Sequence, residues 1–250
     1  MMNNEVAIRF ENVSKTYRIR ENRSDTLRDS VLNFKSPFGK KREIKALQNV
    51  SFQVRKGEKL GIIGYNGSGK STLIKLIIGS LKPNEKSGIF TNGKIMRLEL
   101  GLGFDKEMSA RDNVLLNGSI LGIPKKELEF LFPQIIAFAD LKEYENVAVK
   151  YFSKGMKMRL AFSVAMHIRT DILLLDEFFG GGGDINFKKK SDAIFKEKLI
   201  ADKTLVIVSH SLSTIKNYCD RVIWLDKGKV MIEGEPNEVI GEYKDFKLRG

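Results

Sequence analysis

The stretch that most restricts how this chain can fold is Gly64-Tyr65-Asn66-Gly67-Ser68-Gly69-Lys70-Ser71-Thr72. It follows Leu60-Gly61-Ile62-Ile63, a short apolar run of the kind found in a buried parallel strand. It precedes Leu73, Leu76 and Ile77, which share one face of a helix expected from Lys70 to Gly79. The order strand, glycine-rich turn, helix is the context in which a G-x4-G-K-S run binds phosphate. Gly64, Gly67 and Gly69 let the backbone turn so that its N–H groups point inward. The helix N-terminus adds the positive end of its dipole. Lys70 is then expected to neutralise β- and γ-phosphates, Ser71 to offer its hydroxyl to Mg²⁺, and Thr72 to reach a phosphate. Tyr65, Asn66, Gly67, Ser68, Gly69, Lys70, Ser71 and Thr72 are accordingly the expected nucleotide contacts. The loop by itself does not say what the nucleotide is used for.

A second apolar run, Ile172-Leu173-Leu174-Leu175, ends in Asp176-Glu177. Paired carboxylates at the end of a buried strand call for a cation or a partner. Asp176 is expected to hold Mg²⁺, directly or through water, and Glu177 to act as general base on the attacking water. A third run, Val206-Ile207-Val208, is followed by Ser209 and His210, and His210 is placed to contact the terminal phosphate and orient the water. Glu177, His210 and Lys70 form the expected catalytic set. Val222-Ile223-Trp224-Leu225 and Lys229-Val230-Met231-Ile232 flank Lys227-Gly228, a hairpin turn. Strands alternating with helices give an α/β core with a mostly parallel sheet, whose strand ends converge where such folds bind ligands.

Residues 6–10 alternate as a half-exposed strand, and 47–54 read as another, with Val50, Phe52 and Val54 on one face. Between them lies a basic insert, 18–46. Arg18, Arg20, Arg23, Arg28, Lys35, Lys40, Lys41, Arg42 and Lys45 make nine of the 28 positions from 18 to 45 basic. Within it, Leu27, Val31 and Phe34 at helical spacing, with Asp25 as N-cap, allow a short amphipathic helix over 25–34; the other reading is an irregular surface loop. Residues 110–150 read as helical, punctuated by Pro124 and Pro133. The net charge of +12 fits either an anionic partner or simple solubility. One cysteine, Cys219, precludes an intrachain disulfide and fits a reducing compartment. No stretch reaches the roughly 18 apolar residues of a membrane span, and the N-terminus lacks the regions of a signal peptide, so any membrane role is expected to be peripheral.

Taken together, these residues resemble the nucleotide-binding subunits of ATP-binding cassette transporters, over nearly the whole chain. The segment that decides the resemblance is Tyr151-Phe152-Ser153-Lys154-Gly155-Met156-Lys157-Met158-Arg159-Leu160-Ala161, a variant of the family's signature motif. Ser153 and Gly155 match its serine and second glycine, whereas Lys154 and Met156 depart from its commonest glycine and glutamine. The resemblance implies a single cassette over 1–250: a P-loop NTPase core, an N-terminal antiparallel β portion, and an inserted helical subdomain over 105–158 carrying the signature. It implies that Tyr17 stacks on adenine, that ATP and Mg²⁺ are the cofactors, and that Ser153 and Gly155 complete the site of a second copy in an ATP-sandwiched homodimer. Asp184 resembles the family's aspartate after the acidic pair, although the run Phe178-Phe179-Gly180-Gly181-Gly182-Gly183 is one residue longer than expected. No glutamine occurs from Ser71 to Leu131, where the family places a Mg²⁺ ligand; Glu99 stands as its substitute, beside Ser71 and Asp176.

Within the family, Leu98-Glu99-Leu100-Gly101-x-Gly103-Phe104, then Ser109-Ala110-Arg111-Asp112-Asn113, resemble the branch exporting O-antigen, capsule or teichoic acid. So do Met156, the run Arg159-Leu160-Ala161-Phe162, and the basic insert. That implies a membrane permease partner, a lipid-linked glycan substrate, and a place on the cytoplasmic face of the inner membrane. The alternatives are a cassette for another cargo and a soluble cassette ATPase acting on nucleic acid or ribosomes. Nucleic acid is disfavoured, because such proteins usually join two cassettes in one chain.

Overall fold

The computed structural model describes residues 5–20, 41–84, 88–176 and 185–249. Glu177, Asp184 and the helix expected over 25–34 lie outside the described residues. In chain order the elements are β1 (Val6–Arg20), β2 (Lys41–Arg55), β3 (Lys59–Ile63), α1 (Lys70–Ile78), β4 (Gly88–Thr91) and β5 (Ile95–Leu98). There follow α2 (Ala110–Ile120), α3 (Lys125–Phe138), 3-10 turns at Lys142–Tyr144 and Val149–Tyr151, α4 (Lys154–Ala165) and β6 (Ile172–Asp176). The chain continues with α5 (Ile185–Ile194), a π turn (Phe195–Leu199), β7 (Thr204–Val208), α6 (Leu212–Tyr218), β8 (Arg221–Asp226), β9 (Lys229–Gly234) and α7 (Pro236–Arg249).

Two sheets result. The larger has the order β5-β6-β7-β3-β8-β9, parallel through β8, with β9 returning antiparallel at the edge. The smaller, β2-β1-β4, is antiparallel. The apolar runs are continuous because both faces of the larger sheet are covered. Leu60, Ile62, Ile172, Leu174, Val206 and Val208 pack on the side of α1 and the small sheet. Leu173, Leu175, Leu205, Ile207 and Val222 pack on the side of the remaining helices. Alternate residues of each strand therefore serve opposite cores.

Strands β1 and β2 run further than their apolar alternation indicates. Pairing continues into the basic insert as Tyr17↔Ile44, Arg18↔Glu43, Ile19↔Arg42 and Arg20↔Lys41. The ladder is supported by an exposed Arg18–Glu43 ion pair at 3.0 Å and by bulges where Asn12 and Asn49 take positive φ. The helical stretch also differs in detail. Pro124 caps α3, but Pro133 sits inside it, and the helix continues because Leu128, Phe132, Ile135 and Ile136 bury one face. The loop entering α2 hangs on Asn113, which is fully buried. Its amide donates to the carbonyls of Asp105, Met108 and Ser109, and its Oδ1 accepts from the Asp105 N–H at 2.7 Å.

The turn Lys227-Gly228 joins β8 to β9 with both residues at positive φ, the two-residue hairpin geometry. It also fastens two other segments. The Gly228 N–H donates to the Ser68 carbonyl at 2.9 Å, and Gln48 donates from its backbone to Gly228 and from its side chain to Lys227. A Cβ at Gly228 would lie 2.7 Å from the Ala46 carbonyl oxygen. Gly228→Val is therefore expected to destabilise the fold by about 2 kcal/mol or more, from strained φ and backbone overlap. Asn113→Ala, which orphans buried backbone groups, is expected to lose about 2–3 kcal/mol. Urea unfolding of the two variants measures both.

Candidate active site

Strand β3 delivers the chain to Gly64, whose φ of +152° leaves no room for a side chain: a Cβ there would meet the Leu225 carbonyl oxygen at 2.2 Å. Gly67 and Gly69 follow at φ of +79° and +113°. Gly69 is the N-cap of α1 and makes no side-chain bond to it, so the first N–H groups of the helix are left to whatever occupies the turn. Lys70 is buried; its ammonium donates to the Gly64 carbonyl at 2.7 Å and the Tyr65 carbonyl at 2.8 Å, which holds the charge in the mouth of the loop.

Gly67, Gly69 and Lys70 line a cavity of about 330 Å³. Around it stand Asn66, Gly67, Gly69, Lys70, Ser71 and Thr72 from the loop, Tyr17 from β1, Asp176 from the end of β6, and His210 just beyond β7. Strands β6, β7 and β3 are neighbours, so their carboxyl ends converge there. The Tyr17 hydroxyl lies 3.4 Å from Thr72 Oγ1. Ser71 and Asp176 place two hard oxygen donors on the cavity wall. Among the described residues no three His, Cys, Asp or Glu cluster into a metal cage by themselves. That sparse donor set fits Mg²⁺, which takes one or two protein ligands and completes its shell with substrate phosphate and water.

Several expected residues sit elsewhere. The Tyr65 ring turns away from the cavity and packs on Tyr243 of α7, which in turn meets Trp224 edge-on. Ser68 is buried, its Oγ without a hydrogen-bond partner, and contributes through its backbone. Glu99 is half exposed and outside the cavity wall; its carboxylate lies 3.9 Å from the Arg97 guanidinium. Ser153 caps α4, accepting from the Met156 N–H at 3.1 Å, and Gly155 follows on the first turn; neither lines the cavity of its own chain. Glu177 lies outside the described residues.

Sequence reasoning missed three contributors. Ile44 and Lys45 of β2 line the cavity opposite Tyr17 and Thr16, and Lys45 adds a second cation to Lys70. Arg97 of β5 donates to Asp176 Oδ2 at 3.1 Å. The signal for Arg97 was available: it is a lone charge in the short apolar strand beside the acidic one. The turn at Gly228 clamps the phosphate loop from behind, which no local pattern announces.

Comparison with known proteins agrees with this geometry. Residues 47–180 match the ABC transporter domain family. The O-antigen export system ATP-binding protein RfbB of Myxococcus xanthus is 41% identical over 96% of this chain, and the chain covers 56% of that protein. The teichoic acids export ATP-binding protein TagH of Bacillus anthracis is 38% identical, and the chain covers 42% of it. The chain thus spans about half the length of these two relatives. It covers 98% of the RfbB protein of Klebsiella pneumoniae, at 36% identity. Among solved structures, the ATP-binding cassette MJ0796, a dimer bound to ADP and phosphate, superposes with a TM-score of 0.66 at 22% identity, over 92% of this chain and 98% of that one. The ADP conformation of the cassette MJ1267 gives a TM-score of 0.68 at 24% identity, over 98% of each chain. With the loop, the acidic strand end and the capped α4 arranged as described, the chain belongs to the ABC transporter family.

Proposed function

We propose that this chain is an ATP-hydrolysing subunit that pairs with a second copy of itself and powers export of a lipid-linked polysaccharide through a membrane subunit. The observation that carries the reading is the convergence of Lys70, Ser71, Thr72, Asp176, His210 and Tyr17 on one cavity. Lys70, Lys45 and the N-terminus of α1 supply the positive potential a triphosphate requires. Ser71 and Asp176 would hold Mg²⁺, whose chemistry there is to neutralise charge on the phosphate oxygens. Glu177, next in the chain after Asp176, takes the proton of the attacking water, and His210 holds that water and the terminal phosphate in line. Tyr17 offers its ring to the base. Ser153 and Gly155, exposed and half-exposed at the start of α4, present a second helix N-terminus to the phosphate bound by the partner copy.

The polysaccharide cargo rests on the names of the relatives, an O-antigen exporter and a teichoic acid exporter. No helix among the described residues is long and apolar enough to cross a membrane. The basic insert would face anionic headgroups or the pyrophosphate of the lipid carrier at the cytoplasmic surface. A cassette for a different cargo remains the alternative.

Glu177→Gln is expected to keep ATP binding while turnover falls about 10²- to 10⁴-fold. In that background ATP should drive a monomer-to-dimer shift in light scattering. Ser153→Arg should abolish the shift but leave ATP binding by the monomer intact, because the side chain lies outside its own cavity. Co-expressed with the membrane protein encoded beside it, the chain should show ATPase stimulation by pyrophosphate-linked glycan. Salt-sensitive stimulation by nucleic acid instead would overturn the cargo assignment.

A further inference from the structure

The Arg97 guanidinium sits between two carboxylates. It is 3.1 Å from Asp176 Oδ2 on β6 and 3.9 Å from Glu99 Oε2, two residues on along its own chain. The parallel register fixes this: Arg97 lies opposite Leu174, so its side chain reaches the end of the neighbouring strand where Asp176 emerges. Arg97 and Asp176 are 38% and 21% exposed, shielded enough for the pair to matter and open enough for it to break. Asp176 also stands on the cavity wall with Ser71, where a cation would be held. One carboxylate oxygen therefore has two positive suitors.

We propose that Arg97 is a positioning residue that competes with the divalent cation for Asp176, and that Glu99 receives the guanidinium when the cation takes the carboxylate. This rests on the reading of Asp176 as a metal ligand. Breaking a charge pair is costly when one member is left without a partner. Here Glu99, already close by, removes that penalty, so the exchange is nearly balanced and the cation requirement is set by it. Arg97 keeps Asp176 in one orientation before the cation arrives. Glu99 then acts on the metal through Arg97 and not as a ligand.

The test is the Mg²⁺ concentration that half-saturates binding of a fluorescent ADP analogue to the full-length chain, with thermal melts to verify folding. Arg97→Met is expected to lower it about threefold, the range of a partly exposed ion pair. Glu99→Gln is expected to raise it about twofold by trapping Arg97 on Asp176. Added to Arg97→Met, Glu99→Gln should have no effect, since no guanidinium is left to receive. An unchanged or raised Mg²⁺ requirement in Arg97→Met overturns the competition. A Glu99→Gln effect of equal size in both backgrounds overturns the hand-over and makes Glu99 a ligand in its own right. Asp176→Asn separates the two levels of the argument. If it leaves the Mg²⁺ dependence intact, Asp176 is no ligand and the metal site fails with the inference; if it abolishes the dependence while Arg97→Met does nothing, only the inference fails.

Discussion

Burial of the central strands on both faces is the constraint from which the other features descend. β3, β6 and β7 are covered by α1 and the small sheet on one side and by helices on the other. A strand so enclosed has apolar side chains along its middle and admits polar ones at its ends. Functional groups can enter only where the strands stop. Gly64, Asp176 and His210 all stand at that limit, one beyond β3, one ending β6 and one beyond β7. The order β6-β7-β3 then makes their meeting a matter of topology.

The small sheet and the helices complete the cavity in different ways. β1 and β2 bring Tyr17, Ile44 and Lys45 to the cavity beside the phosphate loop, so one of its walls is built on an antiparallel strand pair. The helical portion brings nothing to the cavity of its own chain. Its capped α4 and the loop held by Asn113 stand apart from that cavity. Arg97 and Glu99 sit on the connection between these two regions, which places the charge exchange at the joint.

Much of this was legible from local pattern. The phosphate loop carries its own chemistry in nine consecutive residues, and the runs 172–175 and 205–208 are apolar without interruption. Ser153 stands out through the signature run that contains it, and the structure adds that it caps α4. The full length of β1 and β2 was less visible, because charged residues, with the exposed Arg18–Glu43 cross-strand pair among them, replace apolar alternation there. Pro133 reads as a break, yet packing of its neighbours outweighs the missing hydrogen bond. The Arg97–Asp176 pair and the Gly228–Ser68 bond join residues far apart in the chain, and no window of sequence contains both members.

The turn at Lys227-Gly228 has a mechanical meaning beyond its hairpin. It grips β2 through Gln48 and the phosphate loop through Ser68 at the same time. β2 carries Ile44 and Lys45 and is laced to Tyr17. The wall carrying Tyr17, Ile44 and Lys45 and the loop carrying Lys70 are therefore fastened to one two-residue turn. A displacement of that turn would shift both walls together and not one against the other.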